Sequence, residues 1–227
     1  MTFHWQEMSE ETLWAYLRDG LGPINRIVRL ALVKKICQIL EVSEEKAKIM
    51  DVGCGTGTLY ENIKDENLDV EYLGIDITSK IIEINRNAFP EARWEIQDAN
   101  NIKLKSNSFD IVVCKDLLEH IQNYRKPVEK FLEISRKRVL LAFFNASNSL
   151  EKTLISRIKN KYYWNTISRF ELEAFLKSLD GHLHIEIIEF KEDPHEIKKW
   201  AERALREYAG LQQGSHCIYS IDKFSRS

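Results

Sequence analysis

Ile49-Met50-Asp51-Val52-Gly53-Cys54-Gly55-Thr56-Gly57, preceded by Lys46-Ala47-Lys48, turns from an apolar run to an acid and then to alternating glycines. Thr58-Leu59-Tyr60-Glu61-Asn62-Ile63 follows with the periodicity of a first helical turn and a half. Strand, glycine turn and helix in that order are how a doubly wound α/β sheet approaches a ligand. Glycine tolerates positive φ and, lacking Cβ, lets the backbone come close to that ligand. The helix start beyond it offers N–H groups and a partial positive charge, suited to a carboxylate or phosphate.

Asp51-Val52-Gly53-Cys54-Gly55-Thr56-Gly57 resembles the first motif of class I S-adenosylmethionine (SAM)-dependent methyltransferases. It differs from the G-x-G-x-x-G fingerprint of nicotinamide enzymes in its G-x-G-x-G spacing and its preceding acid. The resemblance implies a Rossmann-like, seven-stranded, mostly parallel sheet whose last strand is antiparallel. It implies SAM as cofactor and S-adenosyl-L-homocysteine (SAH) as product. Asp51, Gly53, Cys54, Gly55 and Gly57 then line the methionine end of the cofactor.

The next two strand ends fit the same ligand. Val70-Glu71-Tyr72-Leu73-Gly74-Ile75 reads as a strand ending in Asp76, followed by Ile77 and a helix capped by Thr78-Ser79. An acid at the end of the second parallel strand is placed to accept two hydrogen bonds from a ribose diol; helix capping is the plainer alternative. Arg93-Trp94-Glu95-Ile96-Gln97 is a third strand, ending at Asp98-Ala99-Asn100. By the resemblance, Asp98 accepts from the adenine amine and the amide of Ala99 meets the ring. Ser108 to Cys114 is a fourth strand, with Asp110 at its far, structural end. Lys115-Asp116-Leu117-Leu118-Glu119-His120 after it resembles the family's fourth motif, where Lys115 and Leu117 flank the methionine part of SAM. His120 either takes a proton from the acceptor or hydrogen-bonds backbone in the loop.

Composition narrows the class. Charges nearly cancel, to a net -2 over 227 residues, so no general attraction to nucleic acid or anionic membrane follows. The N-terminus lacks the basic and apolar regions of a signal peptide, and no apolar run is long enough to span a membrane. Cys37, Cys54, Cys114 and Cys217 are scattered without metal spacing and read as buried reduced thiols. A cytoplasmic protein without a metal is expected.

The chain outside these motifs supplies cover and acceptor contacts. A helical pattern at 9–19 and a longer one from Pro23 to Leu40 make residues 1–44 an N-terminal helical cover. Its Trp14 and Tyr16 either form a lid over cofactor and substrate, with Tyr16 a second candidate base, or simply pack. Arg138 to Phe144 is a buried fifth strand. Residues 145–165, basic and aromatic, form the candidate acceptor-facing segment, or else a solvated surface helix with an aromatic anchor. Ser168-Arg169-Phe170-Glu171 reads as a capping box. His182 and His184 share one face of an edge strand, without a third ligand nearby. A helix at 196–211, within the insertion 191–214, serves the substrate side or a homodimer interface. A last strand, Ser215 to Ile221, completes a single domain.

The expected activity is methyl transfer to O, N or C of a small molecule, as in the type 11, ubiquinone-biosynthesis-like branch that the chain resembles. RNA or protein acceptors, or a silent SAM-binding subunit, are the alternatives. Lys115-Asp116-Leu117-Leu118 stands where amino-methylating enzymes carry Asn/Asp-Pro-Pro-Tyr, which argues against adenine-N6 and glutamine-N5 methylation.

Overall fold

The computed structural model describes residues 23–41, 46–158, 162–179, 183–190 and 215–223. The expected helices at 9–19 and 196–211, with Tyr16, and the histidine at 182 lie outside them.

The main sheet is built from β1 (Ala47–Val52), β2 (Val70–Asp76), β3 (Arg93–Ile96), β4 (Phe109–Lys115), β5 (Ser135–Ser147), β9 (His184–Glu189) and β10 (Ser215–Asp222), with short β8 (Ile167–Ser168) beside β5. Their order is β3-β2-β1-β4-β5-β10-β9. β1 pairs in parallel with both β2 and β4, Ile49 lying in register with Tyr72 on one side and Ile111 on the other. β10 runs antiparallel between β5 and β9. The chain therefore reverses its direction of strand addition at β1, and the crevice between β1 and β4 opens at their carboxyl ends, where such sheets bind ligands.

Alternation along the strands separates two cores. Met50, Leu73 and Val112 face α4 (Arg125–Ile134) and α5 (Arg169–Leu179) through Val128, Phe131 and Leu172. Ile49, Ile111 and Leu140 face α1 (Pro23–Leu40), α2 (Thr58–Asp65) and α3 (Ser79–Ala88) through Leu32, Ile36, Ile63 and Ile82. Leu32, Ile49, Met50, Phe131 and Leu172 are wholly buried, each such aliphatic or aromatic chain contributing about 1.5–3 kcal/mol. The expected covering helix from Pro23 is thus in place, starting on the proline whose missing N–H costs nothing at a first helical turn.

Three expectations need correction. β5 runs well beyond 138–144, because both its ends find partners: Ser135 pairs with Phe109, and Ala146 with Ile167. The described part of 145–165 is no surface helix. It carries a two-stranded ribbon, β6 (Arg157–Ile158) with β7 (Tyr162–Tyr163), and returns along a bridge between Leu154 and Thr166. The capping box at α5 is only half formed. The Ser168 hydroxyl accepts from Glu171 N at 3.1 Å, but the Glu171 carboxylate accepts from Thr153 N at 2.7 Å. Ser168 N already donates to Thr153 Oγ1, so the carboxylate that would have met it ties down 150–154 instead.

Candidate active site

The glycine turn leaves β1 at Val52 and enters α2 at Thr58. Gly53, Gly55 and Gly57 have φ of +72°, +50° and +72°, a region costly to residues bearing Cβ. Their surroundings differ. A Cβ on Gly53 would stand 2.9 Å from Leu117, and one on Gly57 2.9 Å from Trp94. A Cβ on Gly55 would meet nothing within 4 Å. Gly53 and Gly57 thus serve close packing, and Gly55 looks onto open space.

The amides of this turn are largely engaged within the protein. Gly53 N and Cys54 N both donate to Ile75 O, at 2.8 and 3.0 Å, and Gly57 N donates to Cys54 O at 3.1 Å. Gly55 N donates to Asp76 Oδ2 at 3.3 Å. What the glycines offer is chiefly room. Cys54 turns its side chain inward, where burial pushes the thiol well above its ordinary range and Asn85 Nδ2 lies 3.7 Å from Sγ. Its part at the site is confined to the backbone.

The three acids do come to one edge. Asp51, 3% exposed near the end of β1, accepts from the Tyr72 phenol at 2.6 Å. Burial raises its carboxyl to about 6, against the pull of that hydrogen bond and of Lys115. Asp76 at the end of β2 accepts from Gly55 N on one oxygen and from Thr78 N, at 2.9 Å, on the other. It joins the two turns, and hydrogen bonds from the Thr78 hydroxyl and the Ile77 amide also favour its ionised form. Burial raises its carboxyl as well. Asp98 caps the short turn Ala99–Asn101, with Asn100 N and Nδ2 both on Oδ1 at 2.8 and 3.0 Å. Oδ2 accepts from no described residue. Capping and ligand binding are therefore compatible for Asp98. Ile77 and Ala99, both half-buried, follow the two acids at this edge.

The fourth wall comes from the end of β4. Lys115 contacts the Asp116 carboxylate, and Leu117 closes on Gly53. Asp116 sits at φ +54°, fixed there by donation from its N–H to Ala142 O at 2.9 Å. A non-glycine residue in this conformation carries strain that clusters at functional sites. His120 follows on a 3-10 turn, its Nδ1 2.9 Å from Tyr163 O. A carbonyl can only accept, so Nδ1 holds the proton and the neutral ring carries its lone pair on Nε2. Burial lowers the His120 pKa, keeping the ring neutral. Phe144 and Trp164 each lie 5.6 Å from the ring and 5.0 Å from one another. All three are half-buried, with Nε2 of His120 itself buried, and together they form a ledge on the turn that follows β4.

Several contributors escaped the sequence reading. Glu119 is wholly buried; its Oε1 accepts from Phe144 N at 2.7 Å and Asn145 N at 3.3 Å, and its backbone oxygen accepts from Asn165 N at 2.8 Å. Asn165 donates to Ile121 O at 2.7 Å, and Asn145 to Asn165 O at 3.0 Å. These bonds dock 165–166 against β5 and the turn bearing His120. Glu119 Oε2 is buried and accepts nothing among the described residues; burial, with Asp116 nearby, raises the carboxyl to about 8. Arg29 on α1, 7% exposed, lies near Asp116 and Glu61. Asp110, read as structural, lies at the opposite end of the sheet, accepting from Lys48 N at 2.8 Å and Arg136 at 2.9 Å. His184 is exposed on edge strand β9. No group of three potential metal ligands occurs among the described residues, and no helix among them is long and apolar enough to cross a membrane.

A glycine turn at the switch point, acids ending the next two strands, and an antiparallel strand inserted near the sheet edge define a class I, Rossmann-like nucleoside-binding enzyme. Residues 43–204 match the family model described as methyltransferase domain, and the chain belongs to that family: it is a SAM-dependent methyltransferase. It is 21% identical over 212 residues to the ubiquinone biosynthesis O-methyltransferase of Coxiella burnetii, covering 89% of this chain and 84% of that one. It is 25% identical over 195 residues to the ubiquinone/menaquinone biosynthesis C-methyltransferase UbiE of Campylobacter jejuni, covering 76% and 83%. Among solved structures, the plantazolicin methyltransferase BpumL, in complex with a pentazolic desmethylPZN analog and SAH, superimposes with TM-score 0.66 at 16% identity, over 97% of this chain and 93% of that one. The open space before Gly55 and the unclaimed oxygen of Asp98 fit a nucleoside cofactor of this kind.

Proposed function

We propose that this enzyme methylates a small-molecule acceptor held against the His120–Phe144–Trp164 ledge, with SAM lying along the ends of β1, β2 and β3. SAM supplies an electron-poor methyl group on its sulfonium. The chain's part is to hold the acceptor in line at near-attack distance and to exclude water. In this reading the turn at Gly55 admits the methionine end, and Lys115 and Leu117 flank it. Asp76 holds the ribose, and Asp98 with the Ala99 amide holds the adenine. Arg29 and Asp51 supply charges complementary to the cofactor's carboxylate and ammonium. His120 Nε2 accepts a proton where the acceptor arrives as a hydroxyl or ammonium.

The observation that carries the reading is the ledge: three half-buried rings, one a neutral imidazole, beside the strained turn at Asp116. The relatives named for O- and C-methylation in quinone biosynthesis support a small acceptor without fixing the attacked atom. A cytoplasmic, single-domain enzyme belongs to the same proposal, supported by four free cysteines, three of them buried. The basic residues of 145–165 favour RNA only weakly, since Arg157 stacks on Tyr163 at 5.0 Å.

The test incubates the enzyme with methyl-labelled SAM and cell extract, then separates small molecules, lipid, protein and RNA. Label in the small-molecule fraction that disappears with Asp76→Ala is expected. Label in RNA or protein would replace this acceptor class with the other.

A further inference from the structure

Asp51 is the most deeply set of the three acids, and its carboxylate is held asymmetrically. Tyr72 donates to Oδ2 at 2.6 Å, whereas no described residue donates to Oδ1. Both residues are almost fully buried, at 3% and 5% exposure. The arrangement follows from register. Asp51 lies opposite Gly74 on β2, two residues beyond Tyr72 and therefore on the same face of the sheet. Gly74 has no side chain to come between them, and the ring of Trp94 occupies the place of its Cβ. Tyr72 cannot swing away: its ring centroid lies 4.8 Å from that of Tyr60 and 5.4 Å from that of Trp94. A buried phenol so confined delivers its single proton in one direction.

We propose that Tyr72 is a positioning residue of the cofactor site, pinning Oδ2 of Asp51 so that Oδ1 remains directed to the cofactor's ammonium group. The inference rests on the proposed function, which puts the methionine end of SAM before this turn. Tyr72 also favours the charged carboxylate, since a hydrogen bond to an ionised acid stabilises it. The other groups facing Asp51 are Lys115 and the Cys114 thiol on β4, Asp76 at the end of β2, and the Cys54 thiol in the turn. Lys115 aids ionisation and Asp76 opposes it. Burial is the largest opposing influence, and it leaves Asp51 close to titrating near neutrality. Loss of the phenol's bond then moves the acid limb of cofactor affinity to higher pH.

The experiment is calorimetric titration of the full chain with SAH from about pH 5.5 to 8, for wild type, Tyr72→Phe and Asp51→Asn. Phenylalanine keeps the ring contacts and removes only the donor. Wild type is expected to bind more weakly as pH falls. In Tyr72→Phe that decline should begin about one pH unit higher, giving affinity roughly threefold below wild type near pH 6.5 and approaching tenfold near pH 5.5, with little difference at pH 8. Asp51→Asn should bind weakly with no acid limb. A Tyr72→Phe profile superimposable on wild type, or lowered equally at every pH, would overturn the inference while leaving the cofactor assignment intact. An acid limb persisting in Asp51→Asn would also overturn it, whether or not Tyr72→Phe folds. Wild type that binds no SAH at any pH would sink the functional reading, and this inference with it.

Discussion

Gly55→Ala separates the cost of the turn's conformation from the space it leaves for a ligand. At φ +50° an alanine costs about 1–2 kcal/mol. No steric penalty adds to it, because the new methyl meets nothing within 4 Å. For a chain of this length each kcal/mol lowers Tm by about 2–4 °C, so the unliganded variant should melt only a few degrees early. The methyl projects into the space assigned to the cofactor, where overpacking costs about 1–3 kcal/mol. That corresponds to SAH affinity reduced about 5- to 150-fold. Gly57→Ala is the contrast, since its Cβ would press on Trp94 at 2.9 Å and on Phe89 at 3.2 Å. It should lose more stability than Gly55→Ala. Melting curves without ligand and calorimetry with SAH distinguish the two. A Gly55→Ala protein that melts slightly early yet binds SAH as wild type does would refute this placement of the cofactor.

Other outcomes follow from the same geometry. The Glu119 carboxyl, raised to about 8, takes up its proton more readily folded than unfolded. The stability it contributes is complete below about pH 4 and is lost as pH rises through 8. Glu119→Gln keeps an oxygen for the amides of Phe144 and Asn145, so the fall in Tm between about pH 6 and 8.5 should be shallower than in wild type; parallel curves would contradict this. His120→Asn should reduce methyl transfer to a hydroxyl acceptor by about 10²–10⁴-fold without altering SAH affinity. Because burial lowers the His120 pKa, the acid limb of the wild-type rate should lie below about 6.5. A limb unchanged in His120→Asn would exclude the imidazole as base.

The legible parts of this fold were those set by local pattern. Strand, glycine turn and helix at 47–65, and the acids Asp76 and Asp98 at strand ends, depend on residues near one another in sequence. Alternation and capping are enough to find them. The acceptor side was obscure because it is assembled from distant segments. Glu119 looks like a surface acid in Asp116-Leu117-Leu118-Glu119-His120, yet it is buried because the amides of Phe144 and Asn145 come to meet it. Nor could Asn165, in a polar stretch, announce that it closes 145–165 onto Ile121. Tyr72 reads as any aromatic in a buried strand; its function appears only once the β1–β2 register brings it beside Asp51. The amides of Gly53 and Cys54 are taken by Ile75 O because β2 lies so close.

The place of β10 has a consequence for how the molecule comes into being. Val139 on β5 finds Ile221 as its partner, and Ile185 on β9 meets the same residue from the other side. β5 and β9 are joined only through this late-synthesised strand, whose Cys217, Ile218, Tyr219 and Ile221 are wholly buried. Until it arrives, β5 presents an unpaired apolar edge, the kind of surface that recruits foreign strands. On the ribosome, β1 to β5 can assemble in order, but the sheet stays open until residues 215–222 have left the exit tunnel. Chaperone demand and misassembly should therefore concentrate in that interval, and they should depend on how fast 215–222 inserts rather than on how well the glycine turn forms.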